Sequence, residues 1–517
     1  MAAILTKLFR SHIAEKFSAS FSGTDAAIVY MFVGHPNAWI DDNVPPTPAD
    51  SVQDEFMAWR DMMWLKRIPA GSISYMIPRY RWANNTVYTK YSDTNANLAT
   101  SMFYVQTAND HVYKCIENNR GGASIVKPSG TGTPIVSTGD GYRWKYMYTI
   151  SAADALKFET ADFIPVKYLS ANDGSNQWLV QSSAANGAIH HVAVGANGTG
   201  YISTSNTVSS VVNSTAFVLK TNALATDGAY VHSTVYITSG LGSGQLRRAV
   251  KYVGATRTLT VNNAFAVVPD VTSTYMIAPN VLIKGDGVTQ ATAYVNSVVA
   301  GQIKAVTMIN VGSNYSIANA VFIANSSYGS AATATPVISP PLGHGANPVK
   351  ELFAYNVMLN AIVLGSEGNT LPTNTAFRTI GIVKDPKLSN GSAANASVIT
   401  SMTALAVTGA TGDFTAGEVV VGGTSSARGR LAWFANTNAA HTAGTVYLAH
   451  LSMAGTGKNF VAAEVITGGT SGKTATITSK TNPAIRHFSG DVLYIENRTP
   501  VNRDAVQQED FKTLLRF

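Results

Sequence analysis

The residue types that most often carry chemistry are sparse in this chain and do not form a familiar catalytic pattern. Its 517 residues include one cysteine, Cys115, which excludes an intramolecular disulfide and a multi-cysteine zinc site. Cys115 lies in an apolar, strand-like run, so we interpret it as a small buried hydrophobic residue and not as a nucleophile. The adjacent His190 and His191 would point to opposite faces of a predicted strand, which disfavours their joint binding of one metal ion.

Carboxylate pairs and glycine-rich turns also lack the context that their chemistry requires. Asp41-Asp42 and Glu509-Asp510 are adjacent in sequence, whereas paired-carboxylate hydrolysis needs two acids that face one cleft. The glycine-rich segments 240–244 and 285–287 lack the strand-to-helix context and the Lys-Ser/Thr ending of a phosphate loop, so they predict β turns. The sequence therefore predicts no enzymatic activity, no cofactor and no metal ion.

The strongest local pattern runs from Gly139 to Ile150, where a tight glycine turn precedes strict alternation along a strand. One predicted face carries aromatic residues and the other does not: Tyr142, Trp144, Tyr146 and Tyr148 on the first, and Arg143, Lys145 and Met147 on the second. A core strand with a buried aromatic face is the favoured interpretation. The alternative, a platform on which a sugar or a base stacks, requires exposed rings.

Composition predicts a mainly-β chain with a few α-helices and more than one domain. A single core stops growing near about 250–300 residues. Charged residues make up 13% of the chain, roughly half of the usual share, and small residues and turn formers replace them. This mixture is typical of many short strands joined by tight turns. The formal charge of +7 is scattered and forms no basic block, so we expect no nucleic-acid binding.

Two amphipathic helices are predicted near the start of the chain. Residues 4–17 have helical apolar spacing, and Asp50 or Ser51 can cap a second helix that ends before Pro69. Four apolar residues define the stripe of this second helix: Val52, Phe56, Trp59 and Met63. The run from Ala26 to Val33 predicts a buried strand and is far shorter than the roughly 20 residues that span a bilayer. We expect no signal peptide, no membrane association and folding in a reducing cytosol.

Two regions of the chain repeat themselves. The strand, glycine turn and tyrosine of residues 189–201 recur at 303–315, and segment 414–425 recurs at 460–471. Duplicated hairpins bury little surface alone and gain a core by packing on each other. We therefore predict a discontinuous parent β domain with two inserted β-rich modules. The predicted parent domain comprises residues 1–185, 341–388 and 485–517, the glycine-rich β module comprises 186–340, and the duplicated-hairpin module comprises 389–484.

An ordered series of blocks outside these modules covers roughly half of the chain and carries a family resemblance. The blocks are Thr6 to Phe17, Phe32 to Trp39, Pro45 to Val52, Trp59 to Trp82, Val112 to Cys115, Gly139 to Ile150, Phe377 to Pro386 and Ser489 to the terminal Phe517. In this series the chain resembles the baseplate wedge subunit of contractile-tailed, T-even-type bacteriophages, the gene product eight family. The two modules have no counterpart there but look like glycine-rich β modules of other tailed-phage structural proteins.

The resemblance implies a structural protein of the virion, located in the tail baseplate after folding in the host cytoplasm. It implies a mainly-β subunit that pairs as a dimer and binds other baseplate wedge proteins around the tail tube. It also implies a part in baseplate rearrangement on infection, with neither catalysis nor a cofactor.

Four residues of the matched blocks are candidate interface residues, because aromatic residues and arginine are enriched where assemblies pack. They are Trp39, Trp82, Arg498 and Phe517. The alternative is that all four stabilise the subunit's own fold. Two other functions stay open. A host-binding tail adhesin would contact surface glycans through the inserted modules and would show exposed aromatic clusters in residues 186–340. A polysaccharide-degrading virion enzyme would show facing carboxylates in a cleft.

Overall fold

The chain forms two compact units, each assembled from separate stretches of sequence. The computed structural model describes residues 6–23, 26–368, 370–451, 459–504 and 506–517. Strands dominate these residues, which also contain five α-helices, so the mainly-β prediction is confirmed. Unit 1 comprises Met1–Ile77, Ala152–Pro165 and Ala354–Phe517, and unit 2 comprises Pro78–Ser151 and Val166–Phe353.

The elements follow one another in three stretches. The first contains α1 (Lys7–Ala19), β1 (Val29–Gly34), α2 (Val52–Asp61), β2 (Met62–Arg67), β3 (Ile73–Pro78), β4 (Tyr104–Gln106), β5 (His111–Asn118), β6 (Val136–Ser137), β7 (Tyr142–Thr149), α3 (Ala152–Phe158), β8 (Phe163–Val166) and α4 (Asn176–Ser182). The second contains β9 (Ile189–Thr199), β10 (Thr204–Thr207), β11 (Ser210–Asn213), β12 (Ala216–Val218), β13 (Thr234–Ser239), β14 (Leu246–Val253), β15 (Thr258–Val261), β16 (Thr274–Ala278), β17 (Asn280–Gly285), β18 (Thr292–Val299), β19 (Gln302–Asn310), β20 (Ala318–Ile323) and β21 (Ser330–Ile338). The third contains α5 (Pro348–Glu351), β22 (Asn356–Leu364), β23 (Ala376–Lys384), β24 (Val398–Thr400), β25 (Thr403–Thr408), β26 (Val419–Gly422), β27 (Arg428–Asn436), β28 (Ala443–Leu451), β29 (Val465–Gly468), β30 (Thr474–Thr481), β31 (Asp491–Asn502) and β32 (Gln508–Arg516).

Both N-terminal helices begin at a hydroxyl cap. The Thr6 hydroxyl accepts a hydrogen bond from the Phe9 N–H at 3.2 Å at the start of α1. Ser51, one of the two predicted caps, accepts from the Asp54 N–H at 3.2 Å at the start of α2. Apolar spacing assigned Met63 to this second helix, but the residue lies in β2. The helix ends early because β2 pairs with β1, and strand pairing overrides helical spacing there.

A five-stranded antiparallel sheet forms the centre of unit 1, in the order β24-β2-β1-β23-β31. All six residues of its middle strand, β1, are buried. Alternate residues of β1 join two hydrophobic clusters: Val29, Met31 and Val33 pack in one, and Tyr30 and Phe32 in the other. A strand covered on both faces is a continuous apolar run and not an alternating one. This is why the run predicted a buried strand.

The C-terminal strands are integral parts of unit 1. A second sheet has the order β32-β22-β3-β8, and β32 pairs with β22 from Asn356↔Arg516 to Leu364↔Gln508. In the central sheet, β31 pairs with β23. The same two sheets contain the N-terminal strands β1 and β3. The described N-terminal and C-terminal strands therefore lie in one unit, as a discontinuous domain requires.

Residues 403–451 and 459–481 of unit 1 form a closed barrel in the order β25-β28-β27-β26-β29-β30. Each copy of the duplicated segment supplies the first strand and the turn of a hairpin, β26–β27 or β29–β30, and β26 pairs with β29 between the two hairpins. Phe414 and Phe460, which open the two copies, are both buried in the barrel core. Two hairpins that would bury little alone thus share one core, as the duplication predicted.

Each copy of the duplicated hairpin places a buried glutamate against a turn of the other copy. The Glu418 carboxylate accepts from both backbone N–H groups of the turn at 470–471 and from the Ser471 hydroxyl, all at 2.8 Å. Glu464 makes the matching bonds to the turn at 424–425, at 2.9 to 3.1 Å. Burial alone would raise the pKa of each carboxyl, but these hydrogen bonds hold both pKa values below the ordinary one.

The glycine-rich segment of unit 2 consists of two sheets and a hairpin. One sheet has the order β17-β20-β21-β9, and β18 forms the hairpin with β19. Between β9 and β17 lies a seven-stranded sheet in the order β10-β16-β13-β14-β15-β12-β11, with a hydrophobic cluster of its own. In chain order, the first strand of this sheet, β10, pairs with its last strand, β16, at Thr204↔Ile277. The chain therefore enters and leaves this sheet at adjacent points.

The strand, glycine and tyrosine repeat buries two tyrosines against glycine turns. Tyr201 is 7% exposed and Tyr315 is 4% exposed. Each ring packs on the glycine three residues before it, Gly198 or Gly312, where a Cβ would lie 2.6 or 2.7 Å from the ring. Both glycines have positive φ, at 66° and 63°. The repeated spacing thus reflects a need for space and for left-handed backbone, and glycine satisfies both.

Both predicted modules have hydrogen-bonded ends. At the ends of segment 186–340, the Ser339 N–H donates to the Ala188 carbonyl at 2.9 Å. At the ends of the duplicated-hairpin module, the Ser389 N–H donates to the Ala484 carbonyl at 2.9 Å. Close ends are the condition under which a loop tolerates a long insertion.

The boundaries of the compact units differ from those of the predicted segments. Strand β24 lies inside the predicted module 389–484 but pairs with β2 of the central sheet, so the closed barrel begins after it. Unit 2 groups residues 78–151, which the sequence assigned to the parent domain, with the glycine-rich segment. That the glycine-rich segment and the barrel are insertions stays a prediction.

Candidate functional site

The connector between β1 and α2, residues 35–51, is fixed to the central sheet of unit 1 by polar contacts. Arg378 of β23 donates to both carboxylate oxygens of Asp42, at 2.8 and 2.7 Å. The Trp39 indole N–H donates to the Arg498 carbonyl of β31 at 2.9 Å. A fork of two charge-assisted bonds sets orientation as well as distance. The connector is therefore anchored on two neighbouring strands.

His35 begins the connector and holds a buried carboxylate. Its Nδ1 lies 3.2 Å from Oδ2 of Asp61, and its ring stacks on Trp39 with centroids 3.7 Å apart. Arg60 donates to both oxygens of Asp61, at 3.0 and 3.1 Å. Burial would raise the pKa of Asp61, but the hydrogen bonds from His35 and Arg60 hold it below its ordinary value. Asp61 stays ionised and ties the connector to the end of α2.

A small cavity among these side chains is too small for an organic ligand. It measures about 30 Å³ and is lined in part by His35, Trp39, Asp54, Asp61 and Asn497. A water molecule needs roughly 10–15 Å³ of such space. The cavity therefore has room for about two or three water molecules, and the polar side chains around it serve to position the connector.

The connector and α2 expose apolar side chains. Ile40 and Val44 project from the connector, and Val52 and Phe56 lie one helical turn apart on α2. Phe56 stacks on Phe488 with ring centroids 4.8 Å apart, although the two residues are 52% and 54% exposed. We call Val52, Phe56 and Phe488 the α2 apolar face. Clustered exposed apolar residues mark protein contacts more often than single ones do.

The structure brings together two of the four predicted interface residues. Trp39 and Arg498 are joined by the indole hydrogen bond, although they are 459 positions apart in the sequence. The Arg498 side chain itself is 47% exposed and lies 3.3 Å from Glu496. These two residues therefore have a defined role in holding the connector, and their role in an interface stays a prediction.

The other two predicted interface residues make separate contacts. Phe517 lies in unit 1 and packs on Phe17 with ring centroids 5.3 Å apart. Trp82 lies in unit 2, where its indole N–H donates to the Ser124 hydroxyl at 3.1 Å. Each contact stabilises the unit that contains it. An additional role in binding other chains stays a prediction for both residues.

No protein-family model matches this chain, and no curated protein sequence matches it. Within the described ranges, no helix is both long and apolar enough to cross a membrane. In the same part of the chain, no group of three or more His, Cys, Asp or Glu side chains could hold a metal ion.

The residues first considered for chemistry have structural partners. Cys115 is fully buried in β5, which confirms its interpretation as a core residue, and burial raises the pKa of its thiol well above the ordinary value. His190 and His191 have different neighbours, as opposite strand faces require. His191 Nε2 lies 2.5 Å from Oε2 of Glu117, whereas the His190 ring lies 5.4 Å from the His344 ring.

One carboxylate of each adjacent pair forms an ion pair with an arginine. Asp42 binds Arg378 as described, and that bond holds the pKa of Asp42 below its ordinary value. Arg503 Nε donates to Glu509 at 2.8 Å, and the side chains are 0% and 6% exposed. In both cases the carboxylate completes a structural ion pair.

The aromatic strand β7 is a core strand, as the favoured interpretation predicted. Tyr142, Trp144, Tyr146 and Tyr148 are all 2% exposed or less. The stacking platform, which needs exposed rings, is therefore wrong. On the opposite face of the strand Met147 is fully buried, whereas Arg143 is only partly covered.

A buried group of charges in unit 2 has no counterpart in the sequence predictions. Lys114 of β5 and Glu351 of α5 form an ion pair at 0% and 3% side-chain exposure. Lys145 of β7 is 7% exposed and donates to the Thr133 carbonyl at 2.5 Å. Burial, reinforced by the charge of Lys114, lowers the pKa of Lys145 to about 8. Distant segments supply these residues, so no local spacing could have revealed the group.

Proposed function

We propose that this protein is a structural subunit of a contractile phage tail, a baseplate wedge protein that assembles with other chains around the tail tube. The position of the resembling blocks carries the proposal. Blocks 32–39, 59–63, 377–380 and 489–501 contribute to β1, β2, β23 and β31, which are consecutive neighbours in the central sheet. When segments far apart in the sequence all resemble one family and belong to a single inherited domain, they are expected to meet in one sheet.

Surface chemistry supports an assembly role for unit 1. The α2 apolar face offers stacked rings, and the connector beside it in sequence is held by ion pairs before any partner binds. A loop that is already ordered loses little conformational entropy on docking. With 13% charged residues, the chain also has few ions to desolvate in an interface core. In this proposal the subunit pairs with a second copy, and its interfaces rearrange on infection.

The adhesin alternative has less support. It called for exposed aromatic clusters in residues 186–340, and every aromatic side chain of that fully described segment is buried or partly buried. Tyr236 and Tyr294 stack with centroids 4.3 Å apart, but both are partly covered. The observations therefore favour assembly over glycan stacking by this segment.

Immunogold electron microscopy of the phage that encodes this chain tests the proposed location. Antibodies raised against the purified full chain should label intact virions at the baseplate, in a ring around the tail tube. Labelling at the tips of tail fibres would instead favour the adhesin. Virions without label, or label elsewhere on the particle, would overturn the wedge assignment.

Light scattering on the purified chain tests the pairing. We expect a dimer at about ten micromolar, because obligate interfaces usually bind far more tightly than that. If the α2 apolar face contributes, Phe56→Asp should shift the chain towards monomer. Leu156→Asp is the matched control, since Leu156 is 74% exposed on α3. A native chain that is monomeric at this concentration contradicts the dimer.

A further inference from the structure

A cleft of about 480 Å³ within unit 2 has an uneven charge balance. Its walls come from β5, β7, β9 and β19 and from the turn that follows β5. Four cations line it: Lys90, Arg120, Arg143 and Lys304. Glu117 is the one carboxylate among these lining residues. Small-molecule sites usually measure about 300–1,000 Å³, so the cleft has the size of a ligand site.

Contacts within the wall already engage the charge of Glu117. Its carboxylate lies 2.5 Å from His191 Nε2 and 3.4 Å from Lys90 Nζ. Burial would raise the pKa of Glu117, but the hydrogen bond and charge of His191, with the charge of Lys90, lower it to about 2. Glu117 is therefore an anion whose ion pairs are with His191 and Lys90, although it also accepts from the Arg120 N–H at 3.5 Å and lies opposite Arg143 on the neighbouring strand.

The side chains of Arg143 and Lys304 donate hydrogen bonds to neutral groups. Arg143 donates to the His190 carbonyl at 2.9 Å, and Lys304 Nζ donates to the Gln302 side chain at 2.5 Å. In the described part of the chain, none of Arg120, Arg143 and Lys304 has a carboxylate within ion-pair distance. Burial also lowers the pKa of Arg143. The charge of Glu117 offsets this burial only in part, so an anion in the cleft would stabilise the Arg143 guanidinium further.

A strained turn places Arg120 at the cleft. Asn119, Arg120 and Gly121 are consecutive residues with positive φ, at 45°, 57° and 86°. The Asn118 side chain holds the turn by accepting from the Gly121 N–H at 3.2 Å. Gly141 leaves room for it, because a Cβ there would lie 2.9 Å from the Asn119 side chain. Left-handed non-glycine residues persist only where the surrounding structure enforces them, and they cluster at ligand sites.

We propose that this cleft binds a sugar-sized ligand that carries an oxyanion, either a carboxylate or a phosphate group. The oxyanion lies among Arg120, Arg143 and Lys304, which donate charge-assisted hydrogen bonds. The carbon skeleton packs on the apolar wall, to which β9 contributes Val194 and β19 contributes Val306 and Met308. A single sugar-sized group fits the cleft volume, whereas a nucleic-acid duplex or a helix does not. This inference is independent of the proposed tail role.

Calorimetric titration of the full chain tests the proposal, with glucuronate, inorganic phosphate, glucose and oligoglutamate as probes. We expect glucuronate, phosphate or both to bind, and added salt to weaken the binding. Binding of glucuronate alone would identify a carboxylated sugar, and binding of phosphate alone a phosphorylated one. Absence of binding by both at about 10 mM, or equal binding of neutral glucose, would overturn the proposal. Tighter binding of oligoglutamate would make the cleft a protein-docking site and would also overturn it.

Three variants locate the binding. Arg120→Gln and Lys304→Gln should each weaken anion affinity about tenfold, the usual loss of one charge-assisted contact. Lys251→Gln is the matched control, because Lys251 is exposed and lies outside the cleft lining. Melting temperatures of all three should stay close to that of the native chain. Native-like affinity in both cleft variants would refute the site.

Discussion

Replacing Glu418 by glutamine tests how the duplicated hairpins hold the barrel together. Glu418 is 4% exposed and accepts three hydrogen bonds from the turn at 470–471 and one from the Thr415 N–H at 2.7 Å. Glutamine has nearly the same shape, but its amide nitrogen donates and cannot accept. One acceptor oxygen is therefore lost, together with the negative charge.

The geometry sets the expected cost at about 3 kcal/mol. In the less costly orientation, the glutamine oxygen keeps both N–H groups of the turn and the amide nitrogen faces the Thr415 N–H. Each of the two retained bonds falls from the charged to the neutral range, a loss of about 1 kcal/mol. The lost bond to Thr415 adds about 1 kcal/mol. The hydroxyl of Ser471 can reorient and accept, so it adds little.

Hydrogen exchange of the full chain, followed by mass spectrometry, measures this loss locally. A change of about 3 kcal/mol in the opening free energy corresponds to roughly a hundredfold faster exchange. We expect that acceleration for the amides at 470–471 in Glu418→Gln. Glu464→Gln provides an internal comparison, because loss of the equivalent hydrogen bonds should accelerate amide exchange in the turn at 424–425 instead. The exposed Asp162→Asn should change neither turn.

The pH dependence follows from the direction of the pKa shift. The folded pKa of Glu418 is lowered, so its stabilisation is present above the ordinary value of 4.5 and is lost as pH falls through the folded pKa. The difference in melting temperature between the native chain and Glu418→Gln should therefore narrow below about pH 4.5. An acceleration of less than threefold at 470–471, in a variant that remains folded, would refute the reasoning. It would mean that water replaces the carboxylate at little cost.

Three further predictions test acid stability and modular construction. Burial and nearby cations lower the pKa of His190 to about 4, whereas the unfolded chain binds the proton at the ordinary pKa of 6.5. The free energy of unfolding should therefore be unaffected above about pH 6.5 and should fall between that pH and about pH 4. Circular dichroism melts of His190→Asn should show a smaller loss of stability over this pH range. Removing residues 489–517 deletes the strands that pair with β23 and β22, so the truncated chain should be insoluble. A truncated chain that is soluble and melts cooperatively would contradict the discontinuous domain. Replacing residues 403–481 by a glycine-serine linker should leave the rest of unit 1 folded. It should be less stable than the native chain, because Ala432 and Ala449 of the barrel pack in the hydrophobic cluster of the central sheet. Loss of soluble protein would instead show that unit 1 cannot fold without the barrel.

Local signals in the sequence predicted several elements, and packing changed their limits. A cap at Ser51 and apolar spacing located the start of α2, because a helix nucleates through contacts a few residues apart. Its end depended on the pairing of Met62–Arg67 with β1, a contact between separate segments. Alternation likewise predicted the buried aromatic face of β7. Burial of Lys145 on the other face depended on distant residues, and the pattern of β7 alone could not reveal it.

The same division holds for the candidate sites. Repetition in the sequence predicted two hairpins that share a core, but only the structure shows that Glu418 of one copy binds the turn of the other. Trp39 and Arg498 were each chosen because aromatic residues and arginine are enriched at interfaces. Only the folded structure shows that they lie within hydrogen-bond distance of each other.

Composition, periodicity and duplication determined that this chain is mainly β, where several strands and helices lie, and which segments repeat. These properties depend on residues that are close together in the sequence, so they can be predicted without the tertiary structure. The exposed α2 apolar face, the pair of Lys114 with Glu351 and the cationic cleft were decided by tertiary structure alone. Their members come from segments far apart in the chain, so their charges and surfaces meet only after the sheets have packed.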